Sequence, residues 1–223
     1  MVAKVFVSSA EAAYIAELTD RDMNRVFDEH LVPDRLLRSD QGRRFARLAA
    51  AFARFYFATD GIFAAPLRRS VLAELTERVS VLGKNDRILA LRGVLPKSAW
   101  VVQVSHGQSV DVSSFVESAK LRARKVDQAE AVVETSEDVM DGTPVFKGTR
   151  VPLDVVIASL DNGIPFERVQ ASYAFLTPEL ADAARVYQFV HPRRGRRRSL
   201  AEVHPDWTVI EKRVVRKPRL LPA

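Results

Sequence analysis

The sequence predicts a mainly α protein with small β elements, an α+β chain. Three observations carry this. Apolar residues recur at helical spacing through most of the first 80 residues and again beyond residue 150. Two short valine-rich runs lie between residues 100 and 112. Gly, Pro and Asn-Gly breaks then divide the chain into segments too short for long strands or a coiled coil.

Ala10 to Ala16 reads as a first helix, with Ala13 and Ile15 as its apolar residues. Thr19 has the character of an N-cap, and Asp22 stands three residues on, in the capping-box position. The next helix is expected over about Asp20 to Glu29, with Met23, Val26 and Phe27 on one face. Two short helices about three residues apart have helix-turn-helix spacing. A third helix is expected over Gly42 to Phe57, where Phe45, Leu48, Phe52, Phe55 and Tyr56 mark a core stripe. Another follows over Leu67 to Val81, then a turn at Gly83 to Asp86. Trp100 to Ser105 and Val110 to Val112 read as strands joined by a loop from His106 to Ser109. A helix from about Ser114 to Lys125 and an edge strand at Val132 to Thr135 come next.

The stretch Asp138 to Pro152 reads as a tight loop in which Gly142 and Gly148 permit positive φ and Pro144 and Pro152 fix direction. Pro152 suits a helix N1 position. A helix over Leu153 to Leu160 ends at Asn162-Gly163, and a second runs from Ile164 to about Ser172. Thr177 as N-cap and Pro178 as N1 start a third, to about Val190. The expected organisation is therefore a helical domain over 1–95, a hairpin-and-helix connection over 96–131, a helix-turn-helix-like domain over 132–190 and a basic extended tail over 191–223.

Composition narrows the function. The chain has 223 residues, 47% hydrophobic and 28% charged, which suits a packed core rather than a disordered chain. It has no cysteine, which excludes a disulfide framework, a cysteine nucleophile and a thiolate metal site. No apolar run reaches the roughly 18–20 residues of a membrane span. Met1 to Val7 lacks a signal peptide's apolar core and cleavage site. The expectation is a cytoplasmic protein that does not meet a membrane. The net charge of +6 is unevenly placed: +3 over residues 1–95, −4 over 96–190 and +7 over the last 33 residues. Such asymmetry fits a basic arm for an anionic partner, or a solvated tail.

No active site is legible. His30, His106, His191 and His204 form no metal-ligand spacing, and no Walker loop, Gly-x-Ser-x-Gly elbow or paired carboxylates stand out. A non-enzyme is expected, with no cofactor and no metal.

The run from Gly142 to Pro152 (Gly-Thr-Pro-Val-Phe-Lys-Gly-Thr-Arg-Val-Pro) is joined by Leu160, Asn162-Gly163, Tyr173, Leu176 to Glu179, Ala183-Ala184 and Tyr187. On these residues the stretch resembles the domain-of-unknown-function 433 (DUF433) family of small antitoxin-like domains. Ala174 stands where that family commonly has proline. The resemblance covers about a quarter of the chain. It implies a winged or tri-helical helix-turn-helix fold, a place in type II toxin–antitoxin pairs and, for a chain of this length, a VapB-type antitoxin with a PIN-like ribonuclease as partner. The N-terminal segment is similar to MerR-like winged helices: Glu11 to Ala16 sits at the first helix, Arg21 to Phe27 at the recognition helix, and Arg43-Arg44-Phe45 follows Gly42 as a wing would. Its turn, Glu17-Leu18-Thr19, lacks the usual glycine, and Asp20 and Asp22 would repel phosphates. The unit therefore either contacts DNA or serves dimerisation.

The residues expected at DNA are Arg21, Asn24, Arg25, Arg43 and Arg44, with Lys147 and Arg150 in the second unit. Lys147 and Arg150 either meet phosphate or brace their loop. The residues expected at a toxin are Arg193, Arg194, Arg196, Arg197 and Arg198, then Trp207, Val209 and Ile210. Guanidiniums bind phosphates, or fork onto carboxylates such as those that hold metal in a PIN-like site. Val203 to Val215 suits an extended strand added to a partner's sheet, or packed back on its own domain. The function expected is an antitoxin of a VapBC-like system. Its body, a homodimer within a larger complex, binds operator DNA, and its tail inhibits a PIN-like ribonuclease. The alternative is a stand-alone transcription regulator whose arginines form a DNA arm.

Overall fold

The computed structural model describes residues 4–40, 42–82, 85–136 and 142–192. The arginine run Arg193 to Arg198, with Trp207, Val209 and Ile210, lies outside the described residues.

Strand β1 (Phe6–Ser8) runs directly into helix α1 (Ser9–Ala16), whose first turn is capped by the Ser8 hydroxyl accepting from the Glu11 N–H at 3.3 Å. The helix stops at Glu17, which takes the left-handed conformation (φ 54°). Thr19 then caps α2 (Asp20–Asp28), and the capping box read from the sequence is present. The Asp22 N–H donates to Thr19 Oγ1 at 3.1 Å, and the Thr19 N–H donates to Asp22 Oδ2 at 3.2 Å. The Thr19 hydroxyl contact also holds the Asp22 carboxyl below its ordinary pKa.

A hairpin follows, of β2 (Leu37–Arg38) and β3 (Arg44–Ala46). With β1 it makes an antiparallel sheet of order β1-β3-β2, in which Val7, Phe45 and Leu37 stand side by side on the core face. The expected helix from Gly42 is corrected here: α3 (Arg47–Ala58) begins only after the strand. Phe45, Leu48, Phe52 and Phe55 are all buried as expected. Phe45 reaches the same core from a strand, because pairing with Val7 on one side and Leu37 on the other holds its backbone extended.

Helices α4 (Ala65–Ser80) and α5 (Asn85–Leu89) lead to the hairpin of β4 (Val101–Ser105) and β5 (Gln108–Asp111). Its turn is tighter than the expected four-residue loop, because Gly107 at φ 77° reverses the chain at once. Helix α6 (Ser113–Ala131) runs past the expected end at Lys125, since Val126 and Ala129 continue the buried stripe of Val116, Ala119 and Ala123. Strand β6 (Val133–Glu134) pairs with β7 (Val145–Phe146), an element not expected from the sequence. Helices α7 (Leu153–Asp161), α8 (Phe166–Ser172) and α9 (Pro178–Val190) complete the described chain. Gly142 and Gly148 take positive φ, and Thr177 caps α9 by accepting from the Leu180 N–H at 3.3 Å. Pro152 is the N-cap of α7 rather than its first helical residue.

Two cores result. The larger gathers Val7, Ile15, Met23, Phe52, Leu72, Trp100 and Val126 from all elements up to α6, with Val190 from the end of α9. Among the described residues the smaller has eight buried ones: Phe146, Leu153, Val156, Ile157, Val169, Leu176, Ala181 and Ala184. Helix α9 serves both. Among the described residues no helix is long and apolar enough to cross a membrane.

Candidate functional site

The first site is built on α1, α2 and the β2–β3 hairpin. Arg43 ties the hairpin to α2: its guanidinium forks onto the Asp28 carboxylate (2.8 Å to each oxygen from Nη2, 3.2 Å from Nε) and donates to Asn24 Oδ1 at 3.4 Å. Arg25 pairs with Glu29 at 2.9 Å and lies over the Phe57 ring at 5.5 Å. Three of the five residues expected at DNA here, Asn24, Arg25 and Arg43, thus hold α2 to its neighbours. The same contacts compensate Asp28 and Glu29. Asp22, held ionised by the cap, and Asp20 keep the start of the helix acidic.

Arg21 is exposed on α2, and Arg44 is half-buried on β3; neither makes an ion pair among the described residues. Arg44 stands directly opposite Arg38 in the β2–β3 register, on the face of the sheet away from the core. Arg38 lies over the Phe6 ring of β1 at 4.3 Å. Like charges facing across a strand pair are destabilising unless an anion or a ring face offsets them. Arg38 is the residue the sequence reading missed. Its signal was the spacing of Arg38 and Arg44 about a short polar turn.

Lys147 and Arg150 are both exposed in the loop between β7 and α7. That loop is braced by others: Thr149 Oγ1 donates to the Phe146 carbonyl at 2.8 Å and accepts from the Val151 N–H at 3.1 Å. The structure does not bring Lys147 and Arg150 into contact with the α2 arginines.

A dense charge cluster has a buried centre at Arg47 and Glu11, and the sequence did not reveal it. Arg47, with 0% side-chain exposure, opens α3 beneath α1 and α6. Its Nε donates to Glu11 Oε1 at 2.9 Å, and its terminal nitrogens lie 2.8 Å from Glu11 Oε1 and Asp127 Oδ1. Lys4 bridges Glu11 and Glu130 at 2.8 Å each, Arg92 holds Asp127 at 2.9 Å, and His191 reaches Glu130 at 3.2 Å. Burial lowers the Arg47 pKa, but Glu11 and Asp127 more than offset it, so the group stays charged. Among the described residues no cluster of His, Asp and Glu is placed to hold a metal ion.

The hydrogen bond from His191, with those from Lys4, holds the Glu130 carboxyl down to about 2 against an opposing shift from burial. A depressed carboxyl stabilises the fold fully above its ordinary pKa of about 4.5, and that stability fades as pH falls toward 2. Glu130→Gln is expected to cost about 1–2 kcal/mol at pH 6, discounted for a side chain 30% exposed. The gap to wild type in urea midpoint should narrow below about pH 4.5 and close only as pH reaches about 2. A gap independent of pH would show that ion pairing at Glu130 contributes nothing.

Comparison with known proteins adds two findings. Residues 133–187 match the family described as "Protein of unknown function (DUF433)". Over 218 residues the chain is 32% identical to the Uncharacterized protein y4eO of Sinorhizobium fredii, covering 95% of this chain and 93% of that protein. The chain belongs to the y4eO family. The DUF433 match within this family member coincides with the smaller core and its flanks, from Val133 on β6 to Tyr187 on α9. The y4eO alignment extends across the larger core as well. No solved structure matches the chain.

Proposed function

We propose that the chain is a DNA-binding antitoxin of a VapBC-like pair, acting in the cytoplasm as a homodimer without catalysis. In this reading α1 and α2 form a helix-turn-helix, and the β2–β3 hairpin is its wing. The observation that carries the DNA half is the cross-strand pair Arg38–Arg44. Two guanidiniums side by side on an outer sheet face, neither in an ion pair among the described residues, suit a phosphate backbone better than any neighbour in the chain. Arg21, exposed on α2, is a further cation of this unit with no ion pair among the described residues. The toxin half is supported by the resemblance over residues 142–187 and by the +7 charge of residues 191–223. An arginine set among the acids of a PIN-like site replaces the charge of the metal and blocks hydrolysis.

The test has two arms. Binding of the full chain to DNA upstream of its own gene is followed by fluorescence anisotropy across salt. Log affinity is expected to fall linearly with log salt, and the double variant Arg38→Ala/Arg44→Ala should make that slope shallower by about two charges' worth. Equal affinity and slope in the variant would remove the arginine pair from the reading. In the second arm, a chain lacking residues 191–223 should keep its fold and lose neutralisation of the co-encoded ribonuclease. Rescue by the truncated chain would defeat the tail mechanism. Purification of the tagged chain from its host with no protein partner would leave the stand-alone regulator.

A further inference from the structure

A groove runs between α6 and α9, lined by Tyr14 of α1, Lys125 of α6, Val132 just past the end of α6, and Leu180 and Val186 of α9. Large apolar side chains flank it. Leu121, one helical turn before Lys125 on the same stripe, is 59% exposed. Phe189, one turn after Val186, is 54% exposed, its ring tilted against Tyr14 at 5.6 Å. Scattered surface apolar residues need no explanation, but two beside an apolar groove form a continuous patch.

The charges of the two walls say what covers it. Nearby, Lys120 pairs with Glu117, Arg122 with Glu17, and Arg185 with Asp161 and Asp182. Lys125 on the α6 wall and Glu179 on the α9 wall have no ion pair among the described residues. With those pairs compensated inside the chain, one cation on the α6 wall and one anion on the α9 wall remain to be matched. A second copy of this chain carries the complementary pattern. A twofold contact sets the α6 wall of one copy against the α9 wall of the other, so that Lys125 faces the partner's Glu179 twice. Leu121 and Phe189 of each copy then enter the groove of the other.

We infer that the α6–α9 groove is the surface through which two copies of this chain associate. The inference rests on the proposed function only for the expectation of a homodimer. Its readout is mass in solution with neither DNA nor protein partner present, so failure of DNA binding and failure of this surface are told apart.

The test is sedimentation of the full chain over a concentration series. Wild type is expected to be a dimer. Leu121→Asp should weaken association by about thirtyfold or more, with an unchanged circular-dichroism spectrum because the side chain is exposed. Lys125→Glu and Glu179→Lys should each weaken it, and the double exchange Lys125→Glu/Glu179→Lys should restore it. A monomeric wild type overturns the inference. So does a dimer indifferent to all these substitutions, which would pair through another face and leave the groove to the chain's own tail or to a different protein.

Discussion

Arg47→Ala is expected to cost about 3–5 kcal/mol, because it strips a buried carboxylate of its main partner. Among the described residues, Glu11, 1% exposed, would keep only Lys4 at 2.8 Å, and Asp127 only Arg92. A domain is stabilised by roughly 5–15 kcal/mol in total, so the variant stands near the unfolding threshold. Urea denaturation at pH 7 measures the loss. The companion variant Glu11→Leu/Arg47→Met replaces the charges by apolar groups of similar size and should lose less than Arg47→Ala, since no carboxylate is stranded. A loss below about 1 kcal/mol in Arg47→Ala would mean that water reaches this cluster and that the ion pairs there are as weak as those at a surface.

That cluster marks the limit of what the sequence discloses. Features decided by residues a few positions apart were legible. Thr19 and Asp22 make their capping box, Thr177 caps α9, and Gly142 and Gly148 take the positive φ that their loop requires. Features decided by distant pairing were not. Arg44–Ala46 lies in a strand because Val7 and Leu37 flank Phe45, yet Phe45 also fits the helical stripe of Leu48 and Phe52 and was read with it. Strand β7 has two residues, too few for alternation to show, whereas its partner β6 falls within the edge strand read at Val132 to Thr135. Arg47 and Glu11 are 36 positions apart, and Lys4 and Glu130 are 126 apart. Only the alanine-rich surroundings of Arg47 hinted that this arginine is buried. The basic hairpin surface was half legible: Arg44 was singled out, while Arg38 gained its meaning only from strand register.

Phe146→Ala should take about 3–5 kcal/mol from the smaller core while leaving the larger one closed. Phe146 is buried and meets Phe175 edge-to-face at 5.4 Å, in a cluster of only eight buried residues. The cavity left behind therefore removes a large share of what holds α7 and α8. No residue of that cluster belongs to the larger core, whose aromatic centre at Phe52 and Trp100 lies in other elements. Local opening follows such boundaries of burial. In hydrogen exchange, amides of α7 and α8 should lose protection in the variant while those of α3 keep theirs. Helix α9 is the informative element. Ala181 and Ala184 face the smaller core, and Val190 the larger, so its amides should divide along the helix, faster at the start and slower toward Val190. Equal acceleration in α3 would show that the two cores open as one unit. In that case the DUF433 segment would be a part of this fold that cannot loosen independently, and a partner binding residues 133–187 would stabilise the α1–α2 region by the same amount.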